Sequence, residues 1–276
     1  MEHHGENTQK NVIAIIPARY SSVRLPGKML LPIAGKPLIL HTVERAKHAK
    51  TVDRVIVATD DERILNAVVE SGNEGVMTSP EHRSGSDRIA EVAENLPAGS
   101  IIVNVQGDEP LIAPDTIDAA VYALKDDNAA EMSTTSEPIG DILELLNSNV
   151  VKVVVGNNGY AIYFSRSPVP FLRDAALRHG GDQDSAIIEE PDLIANFRKH
   201  TGLYVYRREY LLRFSKLPQT KLEQIEMLEQ LRALEDGAKI RVVDAIGTSI
   251  GVDTQGDLER VRPILESPTL TVKNIN

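Results

Sequence analysis

Three cations on one short segment are the first residues of this chain whose types and spacing could do chemistry. In IPARYSSVRLPGK, Arg19, Arg24 and Lys28 follow an apolar run, and no acid stands between Lys10 and Glu44. Arginine forks match phosphate oxygens in pairs, and lysine adds a compact charge. Ser21, Ser22 and Gly27 let backbone N–H groups approach an anion, so the segment reads as a polyphosphate cradle. A solvated basic loop that pairs with acids elsewhere is the plainer alternative. Two acids complement the cradle. Asp108 stands just past an apolar run in VNVQGDEP, where Gly107 permits a tight turn and Pro110 fixes the exit; Asp253 stands in GVDT after Gly251. Magnesium takes one or two carboxylates from protein and completes its shell with phosphate oxygens and water, so the two aspartates are expected to share one Mg2+. Taken singly, each reads equally well as a turn former or helix cap. A cationic cradle with a hard metal ion, and without a GxxxxGK[ST] loop, points to a nucleoside triphosphate attacked at its α-phosphorus with pyrophosphate leaving. Charge then grows on the bridging oxygen, and Arg19 and Lys28 are the groups able to neutralise it.

These residues need a scaffold, and the pattern around them supplies one. Residues 12–16 are short, β-branched and bounded by Pro17, the signature of a buried strand. Helix-like and strand-like runs then alternate: a helix near 37–48, a strand over 54–58, a helix over 61–71 closed by Gly72, and a short strand near 75–78. Ser84 with Asp87 forms a capping-box pattern that opens another helix, and 101–105 reads as a central strand. This is the βαβ order of an α/β fold with a mostly parallel, Rossmann-like sheet. Ligands of such sheets bind beyond the carboxyl ends of the strands, so Arg19, Asp60, Ser84 and Asp108 are expected along one rim. The second half is less regular. A hairpin is predicted from 150–155 to 160–164 around Gly156, Asn157, Asn158 and Gly159, then an irregular polar stretch over about 167–198. A strand over 200–206, a helix over 221–235 stopped by Gly237, a strand over 239–243 and a helix from Thr254 to about 265 follow. The reading is one domain over 11–266 with an elaboration at about 150–215, a disordered tail at 1–10 and a second tail at 267–276.

Composition narrows the partners. The chain has 276 residues, 42% of them hydrophobic, enough for a full core. A formal charge of −10 argues against nonspecific nucleic-acid binding and against attraction to an anionic membrane. There is no cysteine, which excludes disulfides and thiolate metal sites and suits the cytoplasm. The polar start MEHHGENTQK is not a secretory signal, and no stretch is apolar enough to span a bilayer.

Taken in order, IPARYSSVRLPGK with GKPLI, HRSGSDR, NVQGDEP, VKVV, YAIYFSR, HTGLYVYRR, LEQIEMLEQLR and GVDTQGDLERVR resemble the successive blocks of the 3-deoxy-manno-octulosonate (Kdo) cytidylyltransferase family across nearly the whole chain. The resemblance implies a nucleotide-diphospho-sugar transferase fold with a smaller β-rich dimerisation elaboration. It also implies a homodimer, CTP and magnesium as requirements, and CMP-Kdo for lipopolysaccharide synthesis as product. Carried over by position, it puts Arg19, Arg24 and Lys28 on the triphosphate, Ser84 near the cytidine, and Asp108 and Asp253 on the metal. Gln106, Arg166, His200, Tyr204, Glu229 and Gln230 then surround the sugar acid, whose carboxylate suits an arginine fork and whose hydroxyls suit the others. Read without the resemblance, His200 is a satisfied strand histidine, Tyr204 a core aromatic and Glu229 a solvated helix charge. The dimer surface is expected around the 150–164 hairpin and the Tyr204 strand. Two departures stand out: Ser86 where the family usually carries threonine, and a stretch at 172–196 that matches no block. The competing readings are a cytidylyltransferase for 8-amino-Kdo or sialic acid, and a noncatalytic nucleotide-binding regulator. A dinucleotide-dependent oxidoreductase would need a GxGxxG turn after the first strand, which is absent.

Overall fold

The computed structural model describes residues 11–22, 24–247 and 249–267. The tail at 1–10, and that at 267–276 apart from Ser267, therefore lie outside the described residues. The chain divides into two compact units that are discontinuous in sequence. One takes the residues up to Asp118, Tyr206–Ser215 and those from Ser249 onward; the other takes Ala119–Val205 and Lys216–Thr248. Of the elaboration read at 150–215, residues up to Val205 fall in the second unit and Tyr206–Ser215 in the first.

In the first unit the strand Val12–Ala18 is buried at every residue, and apolar runs of this kind are what a strand covered on both faces requires. It pairs in parallel with Arg54–Thr59 on one side and Ile101–Asn104 on the other, and Glu74–Met77 extends the sheet beyond Arg54–Thr59. Helices connect these parallel strands. Leu38–Lys47 buries seven of its ten residues, Glu62–Glu70 buries Ile64 and Val68, and Gly85–Glu94 buries a face that includes Ile89, Val92 and Ala93. Each fully buried Ile, Leu or Val contributes about 1.5–3 kcal/mol, so the apolar runs read in the sequence suffice to hold this sheet. The predicted capping box is present: Ser84 Oγ accepts from Asp87 N, and Asp87 accepts from Ser84 N.

The second unit is β-rich. Met132–Pro138 pairs in parallel with Ile240–Asp244 and neighbours Arg198–Arg207; Lys152–Val155 pairs antiparallel with both Arg198–Arg207 and Ala161–Ser165. The hairpin around Gly156–Gly159 forms as predicted, with Gly159 in the left-handed region (φ 78°).

Two expectations are corrected. The helix over 221–235 is two short helices, Lys221–Glu226 and Gln230–Glu235, parted at Met227, which is left-handed with φ 53°. Apolar spacing was continuous across the break, so periodicity could not reveal it; the carbonyls of Glu226 and Met227 are instead taken by the Arg166 guanidinium. The polar stretch at 167–198 is also largely helical, with Arg173–Arg178, Gln183–Glu189 and a 3-10 turn at Pro191–Asn196. Gly180 and Gly181, both at positive φ, turn the chain between the two helices, and the Asp182 carboxylate caps the second. Helices of six and seven residues surrounded by acids are too short to show a period, and packing of Ile187 and Phe197 with Ile139 and Leu145 sustains them.

Candidate active site

The strand ends of the first unit carry the expected rim. Arg19 follows Val12–Ala18, Asp60 follows Arg54–Thr59, Ser84 lies beyond Glu74–Met77, and Asp108 lies beyond Ile101–Asn104. All four elements run parallel, which is why residues far apart in sequence emerge on one side.

The loop after Arg19 folds upon itself. Gly27, left-handed at φ 67°, donates its N–H to Tyr20 O at 3.2 Å, and a Cβ at this position would come within 3.2 Å of the Tyr20 ring. Glycine is required there on both counts. Arg63 lies over the Tyr20 ring, 3.2 Å from its centroid. The turn delivers Lys28 to a buried position, where its ammonium donates to Asp108 Oδ2 at 2.5 Å, Asp253 Oδ1 at 2.7 Å and Val252 O at 3.2 Å. Arg24 donates to the second oxygen of Asp253 at 2.9 Å. Burial works against the ammonium, but Asp108 and then Asp253 outweigh it and raise its pKa above the ordinary lysine value.

Backbone contacts hold the two aspartates in place. Val252 N donates to Asp108 O at 2.8 Å, and Thr42 Oγ1 donates to Gly107 O at 3.0 Å. Asp253 N donates to Asp257 Oδ2, a member of the capping box that starts the helix Gln255–Glu266. The two carboxylates that share this ammonium are the residues that would hold a small hard cation. Among the described residues no cluster of three or more His, Asp or Glu forms a complete metal cage. A pair of aspartate carboxylates is a donor set that fits magnesium, which draws its remaining ligands from phosphate and water.

Arg19 and Ser84 are linked through the loop between them in space: Arg19 donates to His82 O at 2.9 Å, and His82 is clasped through its ring by Glu91, which also accepts from Ser79 N at 3.0 Å. Ser84 heads the ten-residue helix Gly85–Glu94, whose N-terminus favours an anion. Gln106 donates to Asn104 Oδ1 at 3.2 Å. Sequence reasoning missed Glu91 and Arg88. Arg88 is fully buried and donates to Asp60 Oδ2 at 2.6 Å and Thr78 Oγ1 at 2.5 Å, fixing the rim from beneath. An arginine on the apolar face of a capped helix was the available signal.

The other five residues matched to the sugar acid lie in the second unit, where tertiary contacts relate them to one another. Arg166 gives its guanidinium to three carbonyls: Glu226 O at 2.6 Å, Ser148 O at 2.8 Å and Met227 O at 3.2 Å. It thereby shapes the turn that leads into Glu229 and Gln230. Arg232 bridges Glu229 at 2.8 Å and the buried Glu223 at 3.1 Å, and Gln230 is buried. His200 packs between Phe164 and Tyr204, each 5.1 Å away by ring centroid. Thr134 Oγ1 donates its single proton to Leu203 O at 2.6 Å, so at 2.9 Å from His200 it accepts, which assigns the proton to Nε2. Burial of the imidazole lowers its pKa to about 3.

Comparison with known proteins agrees with this architecture. The family model described as cytidylyltransferase matches residues 13–240, and the chain belongs to that family. A curated 3-deoxy-manno-octulosonate cytidylyltransferase of Geobacter sulfurreducens is 51% identical over 251 residues, covering 91% of this chain and 98% of the relative. One of Pelobacter propionicus is 52% identical over 252 residues, covering 91% and 96%. The solved CMP:2-keto-3-deoxy-manno-octonic acid synthetase complexed with CTP superposes with a TM-score of 0.82 at 41% identity, covering 93% of this chain and 98% of that one. Within the cytidylyltransferases, then, this chain is a member of the 3-deoxy-manno-octulosonate cytidylyltransferase family. A 4-diphosphocytidyl-2C-methyl-D-erythritol synthase from Anaerococcus prevotii, with a TM-score of 0.59 at 16% identity, shares the fold alone.

Proposed function

We propose that the chain transfers CMP from CTP to the anomeric 2-hydroxyl of Kdo, giving CMP-Kdo and pyrophosphate for lipopolysaccharide synthesis. The observation that carries the reading is the convergence of Lys28, Asp108 and Asp253, a cationic and an anionic component of one catalyst, in a chain about half identical to named Kdo cytidylyltransferases. The sugar oxygen forms a bond to the α-phosphorus while the bond to the bridging oxygen breaks, its electron pair leaving with pyrophosphate, and the hydroxyl proton passes to solvent. Arg19, Arg24 and Lys28 bind the triphosphate, and Arg19 and Lys28 neutralise the charge that grows on the leaving pyrophosphate. Asp108 and Asp253 are the residues that would hold magnesium, which when bound supplies charge neutralisation and a lowered pKa for the attacking hydroxyl. Ser84 and the helix it caps face the nucleotide. In the second unit His200, neutral and donating from Nε2, stiffens the strand that carries Tyr204, while Arg166 and Arg232 present Glu229 and Gln230 to the sugar hydroxyls.

The chain works as a homodimer in the cytoplasm on this reading. No helix among the described residues is long and apolar enough to cross a membrane. Incubation with CTP, magnesium and, in separate reactions, Kdo, 8-amino-Kdo or sialic acid, with product mass and pyrophosphate release as readouts, tests the assignment. Coupling to Kdo is expected; coupling only to another sugar acid reassigns the substrate, and no pyrophosphate with any of them removes the enzymatic reading. Light scattering tests the dimer independently.

A further inference from the structure

The ammonium of Lys28 stands where the two aspartates would present their oxygens to a metal ion. Its three N–H groups are all taken, by Asp108, Asp253 and Val252 O, so from this position it has none left for a phosphate. With Arg24 also on Asp253, both carboxylates are already neutralised by this chain's own cations. A divalent ion arriving alone would meet an ammonium in its place and a guanidinium beside it. A triphosphate changes the balance, because it offers Lys28 and Arg24 a richer set of anionic oxygens. Four flexible carbons let the ammonium swing by several ångströms without backbone movement. Lys28 begins the short turn Lys28–Leu30, directly after the left-handed Gly27, so the pivot of that swing is fixed.

We propose that Lys28 is a placeholder for the cation, occupying the Asp108–Asp253 pair until a nucleoside triphosphate draws the ammonium away, so that metal loads with or after nucleotide and not before it. This rests on the reading that Asp108 and Asp253 are the metal ligands. It assigns Lys28 two partners in sequence: the carboxylates in the resting protein and the triphosphate in the complex.

The test uses Mn2+ as an EPR-visible probe added to nucleotide-free protein. Lys28→Met is expected to bind Mn2+ at least tenfold more tightly than wild type, and Lys28→Met/Asp253→Asn is expected to lose that gain. If wild type binds as tightly as Lys28→Met and Asp253→Asn weakens both, the placeholder role is overturned while the metal assignment stands. If neither protein binds Mn2+, with or without CTP, both are overturned. Should Lys28→Met fail a circular-dichroism melt, wild-type protein labelled with [ζ-15N]lysine gives the same answer. Addition of CTP in EDTA is expected to move the Lys28 ammonium resonance, and an unchanged resonance in saturated complex refutes the exchange.

Discussion

Acidification should expose the cost of keeping His200 neutral, and its size can be worked from the structure. The ring is enclosed by Phe164 and Tyr204 and donates from Nε2 to Thr134, and its pKa falls from 6.5 to about 3. Below pH 6.5 the unfolded chain takes up a proton that the folded chain refuses until the pH nears its own value. The stabilisation from a neutral His200 is therefore whole above pH 6.5 and lost progressively as pH falls toward 3. Each unit of displacement is about 1.4 kcal/mol, so the loss is about 1.4 kcal/mol at pH 5.5 and about 2.7 kcal/mol at pH 4.5. The residue keeps partial exposure, and solvent screening trims the expected loss at pH 4.5 to about 2 kcal/mol. Urea unfolding of wild type and His200→Gln at pH 7, 5.5 and 4.5 reads the effect as the shrinking gap between the two proteins. Ring NMR of His200, assigned by its absence in the variant, reads the protonation itself. A gap that stays constant down to pH 4.5, or a His200 resonance that titrates near pH 6, refutes the reasoning.

Three further outcomes are expected. Asp108→Asn should lower kcat by two or more orders of magnitude while the melting temperature moves by only a few degrees; near-normal turnover would remove Asp108 from the chemistry. Gly107→Ala places a Cβ 3.0 Å from both Pro17 O and Ile39 Cδ1 and 3.2 Å from Met29 Cε. Pro17 O belongs to a central strand that cannot retreat, so the variant should lose about 1–3 kcal/mol by urea titration and shift Asp108 enough to lower kcat/KM about a hundredfold. Arg232→Met leaves Glu223 buried without this cation and should cost about 3 kcal/mol, and it removes the ion pair that holds Glu229. The KM for the sugar acid should rise severalfold with that for CTP unchanged, and equal effects on both substrates would deny Glu229 its place.

The central strands of the first unit were legible because each is a short apolar run, and a run of that kind has few ways to be buried. The capping box at Ser84 was equally legible, since its partners sit three residues apart and need no tertiary information. The broken helix at Met227 and the helices within 167–198 were not. In the first case a distant arginine takes the carbonyls, and in the second the stabilising contacts come from Ile139 and Leu145, well upstream. The chemistry of the site divides in the same way. Residue types in the sequence determined that a cationic loop, two aspartates and a parallel sheet would be present, because charge, turn propensity and apolar periodicity are properties of neighbouring residues. Only the tertiary structure decided that Lys28 spans 80 residues to Asp108 and 225 to Asp253, joining them through one ammonium. Pairing between charges so far apart depends on where strand ends emerge, and that position is fixed by the packing of the whole unit.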